Sequence, residues 1–593
     1  MADTVRTINS TISKQIRYHQ AMKNHFGSIL SVLFSLHTVP VLTLMVFLLP
    51  VLAGLTSTVL PAFGYLPVIG QISINTNAWG QLFAHPALPS ALITSLSSGI
   101  LATILSLIVS LSFVAAWQGT ASFRKARRIL APILAIPHSA LAIGLAFLIA
   151  PSGWIVRVFS PWATGWERPP DIAIIHDEWG ISLVLGLMIK ETPYLLLMIL
   201  AALDQSQAKQ RLKLAKTLGY HPIAAWVKGI LPVIYKQIRL PIYAVLAFSL
   251  SVVDIALILG PTTPPTLSIL VLRWFNDPDL NYRTIAAAGA LLQLFVVICV
   301  IVTWWITEKA ISRLSKRWLI NGRRTFLEQP VRQVSKFSLN SIFLLFFGSL
   351  LVILLWSFTR RWRYPDFLPS VWSIQSWDRN IHNLLWSSSS TLIIGLISSF
   401  VAVVLVVVCL ENEKRRGKTA GSGALWLVYL PLMIPQVSFL FGVQILTIKA
   451  GIDASWLAII WSHLLFVLPY VFLSLTDPYR QHDDRYIKVA LSMGISPARA
   501  FWRIRLPMLL RPLLFAFSIG FAVSVAQYLP TLFVGGGRFS TLTTEAVNLS
   551  ASGNRRIIAV YALLQALLPL LCFIAALTLP NIVFRNRRAL KEH

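Results

Sequence analysis

The sequence predicts an all-α integral membrane protein of about 12 spanning helices, arranged as two parallel repeats of six. Composition comes first: 56% of the 593 residues are hydrophobic and 12% are charged, with a mean hydropathy of +0.70, whereas soluble domains carry roughly 25% charged residues. Second, apolar stretches near the ~20 residues a helix needs to cross a bilayer are centred near residues 42, 104, 140, 191, 249, 295, 348, 398, 436, 465, 522 and 568. Third, the two halves resemble each other. LAIPHSALAIGLAFL at 134–148 returns as LMIPQVSFLFGVQIL at 432–446, each with Ile-Pro followed seven residues later by Gly. TPYLLLMILAALDQ at 192–205 returns as LPYVFLSLTDPYRQ at 468–481.

Residues 1–28 form a polar, basic segment ahead of a first span of some 26 residues without a small-residue cleavage site, the pattern of an uncleaved anchor. The first repeat then occupies 29–307, with a basic loop at 204–238. A charged linker follows at 308–337, then the second repeat at 338–580 with a matching loop at 477–511, and a basic tail at 581–593. An even number of spans puts both termini on one side. Roughly 37 of the 51 Lys and Arg fall on that side, which places it in the cytoplasm. The outward loops hold about 12, among them RRWR at 360–363. Six spans per half leave equivalent loops on the same face, so the repeats are parallel rather than inverted.

The net charge of +29 is accounted for by solvated charge at the ends of spans, and nucleic acid is not needed to explain it. Cys299, Cys409 and Cys572 lie inside apolar spans without disulfide or zinc spacing and read as small buried hydrophobes. There is no G-x-x-x-x-G-K-[ST] loop, HExxH, paired CxxC or GxSxG. VGGGRF at 534–539 reads as a turn at a span end. Neither a catalytic residue, a metal ligand set nor a cofactor is expected.

The two basic loops share a grammar. KLAKTLGYHPIAAWVKGILP at 213–232 and KVALSMGISPARAFWRIRLP at 488–507 align Ala215 with Ala490, Gly219 with Gly494, Pro222 with Pro497, Trp226 with Phe501 and Pro232 with Pro507. In each, a helix stops where Gly adopts a left-handed conformation and a new one starts on Pro, which has no N–H to lose at that position. Ser496 is placed to cap the second of these. The new helix is expected to run from Pro497 to Arg505, with Phe501 and Arg505 on one face. The bland reading is an amphipathic helix resting on lipid, but equal Gly-to-Pro spacing in two repeats favours docking onto another protein.

This pattern, A-x-x-x-G, then Pro, an aromatic and a closing Leu-Pro, resembles the cytoplasmic "EAA" loop of permease subunits of bacterial ABC importers. Two such loops in one chain resemble the fused permeases of the ferric-iron and thiamine class. The resemblance implies that Pro222 to Lys228 and Pro497 to Arg503 are coupling helices for two ABC ATPase subunits. It also implies a periplasmic or lipid-anchored solute-binding protein as partner and a location in the bacterial inner membrane. The Glu that names the motif is replaced by Lys213 and Lys488. An ion-coupled secondary carrier is the alternative, and it leaves the paired loops unexplained.

Ionisable and polar groups inside spans point to the translocation path: Lys190 and Glu191 beside Pro193, Asp254, and Gln527 in the equivalent part of the second half. Helix-to-helix hydrogen bonding is the competing reading for Asp254 and Gln527, and mutual pairing for Lys190 and Glu191. Polar PTTPPT at 261–266 and RFSTLTTE at 538–545 are expected at the external ends. The Trp-rich stretch 151–170 reads as interfacial anchoring. Iron, thiamine, polyamines and anions all remain open as substrate.

Overall fold

The computed structural model describes residues 38–325, 328–417 and 422–584. The basic stretches at 1–28 and 585–588 lie outside them. In the first half come α1 (Val39–Ala62), α2 (Leu88–Trp117), α3 (Ala121–Ala135), α4 (His138–Ile149), α5 (Ile181–Gln205), α6 (Ala208–Thr217), α7 (Pro222–Gly229), α8 (Leu231–Ser251), α9 (Asp254–Leu259), α10 (Leu267–Phe275) and α11 (Tyr282–Ile320). The second half begins with α12 (Glu328–Ser357) and a small antiparallel hairpin of β1 (Thr359–Arg361) and β2 (Val371–Trp372). There follow α13 (Ile381–Arg416), α14 (Ser422–Met433), α15 (Gln436–Lys449), α16 (Trp456–Gln481) and α17 (Arg485–Ser492). The last are α18 (Pro497–Ala500), α19 (Leu510–Val525), α20 (Leu529–Gly535), α21 (Leu542–Ser550) and α22 (Arg555–Val583). Among the described residues, ten helices are long and apolar enough to span a membrane, and 12 if two sharply bent pairs each count as one span.

The repeated Ile-Pro…Gly motif has two structural jobs. Its proline lacks an N–H and pushes the residue before it out of the helical region, so α3 stops before α4 and the chain bends by 93° between α14 and α15. The glycine marks a helix crossing. A Cβ at Gly442 would sit 1.8 Å from the Gly54 carbonyl oxygen, and one at Gly144 would sit 2.5 Å from that of Ser349. Small residues are what allow backbones this close. The first helix of each half therefore packs on the other half, α1 against α15 and α12 against α4, and the repeats interlock.

Within each half the long helices also correspond: α2 packs against α5 and α8, and α13 against α16 and α19. PTTPPT and RFSTLTTE are not simply outward loops, because each leads into a short helix tucked into the core. Leu267 donates its N–H to the Ser95 hydroxyl at 2.8 Å and Leu542 donates to Thr391 at 2.9 Å, so a hydroxyl on α2 or α13 satisfies one of the orphan donors at each new helix start. Ser268 and Thr543 donate in turn to the carbonyls of Val252 and Val525.

The Trp-rich stretch docks on the hairpin as well as presenting aromatic surface. Trp154 stacks on Phe367 with centroids 5.6 Å apart, and buried Arg157 donates to the carbonyls of Arg363 and Asp366 at 2.6 and 3.1 Å. The outward RRWR belongs to this cap. Cys299 departs from expectation: it is exposed on α11, while Cys409 and Cys572 are half-buried. In lipid the outer side of a spanning helix is as apolar as its inner side, so an apolar span does not mark its cysteine as buried.

Candidate docking loops and translocation path

Gln205, at the end of α5, donates to Asp477 near the end of α16 at 3.0 Å, which puts the starts of the two basic loops at the same end of the bundle. Each has the same helix stop. Gly219 has φ +80° and Gly494 φ +82°, a region costly for any residue with a Cβ. The next N–H, of Tyr220 or Ile495, reaches back to the carbonyl of Ala215 at 3.1 Å or Ala490 at 3.0 Å. That is the Schellman arrangement, and it explains the A-x-x-x-G spacing. His221 and Ser496 are then extended and Pro222 and Pro497 open the next helix. The Ser496 hydroxyl makes no capping bond, contrary to expectation.

Beyond this point the copies diverge. α7 is regular to Gly229, whereas α18 passes at Ala500 into a π-helical turn, Phe501–Arg505, and then Leu506–Met508, with a 72° bend into α19. Phe501 and Arg505 share the inward side of this turn, half-buried and buried respectively, while Trp502 and Arg503 are exposed. The Arg505 guanidinium pairs with Glu411 at 2.5 Å and Asp484 at 2.7 Å. Glu411 also accepts from Tyr479 at 2.6 Å and Arg415 at 2.8 Å, and Lys414 pairs with Asp484 at 3.0 Å. Burial pushes the Asp484 carboxyl up, but Lys414 and Arg505 outweigh it and hold it below the usual range. Burial, then Arg505 and Lys414, lower the neighbouring His482. In the first copy Ile230 stands in Arg505's place and is buried among apolar side chains. Glu411 and Asp484 were not singled out from sequence; the available signal was an arginine where the other repeat has isoleucine.

Lys190 and Glu191 are both buried, at 6% and 5% exposure, and are not ion-paired to each other. Lys190 instead donates to the carbonyls of Ile133, Leu134 and Ile136, at 3.4 and 3.1 Å for the first two. Those acceptors are freed where Pro137 breaks the helix, so the ammonium caps the end of α3. Glu191 faces Tyr194 of its own helix and Tyr470, the repeat counterpart of Tyr194. Asp254 and Gln527 are both 9% exposed but are not symmetry mates. Asp254 opens α9 as Leu529 opens α20, so Gln527 corresponds to Val252. His463, which the sequence did not flag, is held in the core by Ser524 at 2.8 Å and Thr531 at 2.9 Å.

Residues 405–586 match the family model described as "Binding-protein-dependent transport system inner membrane component". Over 502 residues the chain is 34% identical to the inner membrane ABC transporter permease protein YnjC of Escherichia coli K12, covering 84% of this chain and 90% of that one. The chain belongs to the permease family of binding-protein-dependent ABC transporters. This permease is also similar to the spermidine/putrescine transport system permease protein PotC of Haemophilus influenzae, 24% identical over 29% of this chain and 68% of PotC. The putrescine transport system permease protein PotI of E. coli K12 is 25% identical over 37% of this chain and 73% of PotI. The permease is thus a multi-pass inner-membrane transporter component rather than an enzyme, and ATP hydrolysis lies in a separate subunit.

On the permease the two loops present different surfaces. Ala498, Arg499, Trp502 and Arg503 are exposed on the second, whereas Trp226, at 1% exposure, is packed inside the first and Lys228 is turned toward Asn321 and Arg323. Gly219, Pro222, Pro232, Gly494 and Pro497 are exposed, Ala215, Phe501 and Pro507 half-buried and Ala490 buried.

Proposed function

We propose that the permease forms a path for a small cationic solute between its two interlocked halves. Loops 204–238 and 477–511 are the docking points for two copies of the ATPase, and a solute-binding protein delivers at the opposite end. Both termini are then cytoplasmic, as the distribution of Lys and Arg favours. ATPase closure drives transport only by binding one permease conformation better than the other.

The observation that carries the docking assignment is the pair of Gly-turned, Pro-started helices, whose loops start at the same end of the bundle, where Gln205 bonds Asp477. For the solute, Glu191 and Asp254 place two buried carboxyl groups in the bundle, neither in an ion pair among the described residues. A buried carboxyl ionises more readily beside a cation that replaces its lost hydration, so it favours a cationic solute. Relatives of part of the chain carry polyamine names, which agrees with a cation in charge sign. The test is binding-protein-dependent uptake of spermidine, putrescine, thiamine and ferric iron into vesicles, beside sulfate. Uptake of a cation lost in Glu191→Gln supports the reading; uptake of sulfate alone overturns the cation assignment.

A further inference from the structure

The two docking loops are related by the repeat, yet the face that one exposes the other covers. On the second loop Ala498, Arg499, Trp502 and Arg503 are exposed, Trp502 at 65%. Their counterparts on α7 are Ile223 and Ala224, buried at 1% and 2%, and Val227 and Lys228, half-buried. The segment between the repeats lies along this helix. His221 donates its N–H to the Arg324 carbonyl at 3.0 Å, and Ile223 donates to the Glu328 carboxylate at 3.0 Å. Lys228 reaches Asn321 at 2.8 Å and the Arg323 carbonyl at 2.9 Å, with its ammonium 4.9 Å from the Trp318 ring centre. The Arg324 guanidinium lies 3.1 Å from where a Cβ on Gly219 would be.

The charge also changes hands. The second loop shows Arg499 and Arg503 to solvent, whereas α7 has Ala224 in place of the first and ties up Lys228 in place of the second. Along α7 the linker residues Arg323 and Arg324 are themselves exposed. We infer that Arg323 and Arg324 of the linker supply the cationic contacts of the first docking site, so that an ATPase subunit with an acidic rim meets a composite of α7 and linker there. The inference rests on the docking reading above and adds that the linker is part of the docking surface rather than a passive tether. Because the bonds holding the segment are to its carbonyls, to Asn321 and to Glu328, both guanidinium groups stay available to a partner.

The test uses the full chain in nanodiscs and the ATPase subunit that co-purifies with it, with affinity measured at low and moderate salt. Three double variants are compared: Arg323→Glu/Arg324→Glu on the linker, Arg499→Glu/Arg503→Glu on the second loop, and Lys125→Glu/Arg128→Glu on α3. The linker and loop variants should each lose about tenfold in affinity, the scale of two rim charge pairs, with a weaker salt dependence, and the α3 variant should change little. An unchanged or tighter linker variant beside a weakened loop variant overturns the composite site and leaves the docking reading standing. Equal losses in all three overturn the inference in favour of diffuse attraction. No loss in either the linker or the loop variant overturns the docking reading itself.

Discussion

Replacing Arg505 with methionine removes the charge that joins the second docking loop to the end of α13 and the start of α17. Its side chain is 7% accessible and that of Glu411 6%, and breaking a buried pair by deleting one partner costs about 3–5 kcal/mol. Glu411 keeps Tyr479 and Arg415 as donors, and Asp484, 38% accessible, keeps Lys414. The loss should therefore fall at the lower end, about 3 kcal/mol. The double change Arg505→Met/Glu411→Met replaces the pair by apolar side chains of similar reach and should return to within about 1 kcal/mol of the parent. Coupling is expected not to return, because the charged link between the second docking loop and α13 is gone. Chemical or thermal unfolding in detergent gives the first quantity, and transport per ATP hydrolysed in vesicles gives the second. A single Arg505→Met variant within about 0.5 kcal/mol of the parent and fully coupled would refute the anchoring role.

Three further changes probe other parts of the fold. Gly442→Ala would force α1 and α15 apart by about 1.7 Å, since a carbon needs roughly 3.5 Å to its neighbour; the expected loss is about 3 kcal/mol or more, at the upper end of overpacking, read as a fall in melting temperature larger than that of Gly80→Ala, where a Cβ would meet nothing within 4 Å. Lys190→Met strips the Leu134 and Ile136 carbonyls at the α3 break of the Lys190 donor and leaves that of Ile133 with the Ile136 N–H at 3.4 Å, with about 1–3 kcal/mol lost per unsatisfied group and partial recovery in Lys190→Arg. Burial and the cationic neighbours Arg505 and Lys414 lower the proton affinity of His482 in the fold, so the unfolded chain binds that proton more readily. Stability is whole above about pH 6.5 and declines as pH falls below it; His482→Gln should flatten that slope in unfolding scans run from about pH 7.5 to 5.

Spans and repeats were legible because a bilayer selects length and apolarity, and duplication preserves landmarks such as the breaks at Pro137 and Pro435, each preceded by an isoleucine. The reason for the glycine seven residues on was not: Gly442 is needed by the backbone of Gly54, which lies hundreds of residues away in the chain. α9, α10, α20 and α21 are six to nine residues long, too short for an apolar run to distinguish them from loop. Arg505 does lie on one side with Phe501, but a local pattern cannot show that this side faces inward, onto Glu411 and Asp484. Trp226 looked like a presented aromatic since a local pattern cannot tell a lipid-facing, partner-facing or inward side chain apart. The linker along α7 was invisible for the same reason, as the His221–Arg324 bond joins segments with no shared motif.

The central claim is that the paired loops hold a separate ATP-hydrolysing motor. Its most direct measurement is ATPase stoichiometry on the gently solubilised full chain, for the parent and for Gly494→Pro, a change incompatible with the φ of +82° at that turn. The account gives two ATPase subunits per chain for the parent and a loss of ATPase from Gly494→Pro with membrane insertion retained. A parent chain that carries no ATPase and takes up its solute without ATP, or a Gly494→Pro chain that stays fully coupled, would contradict it.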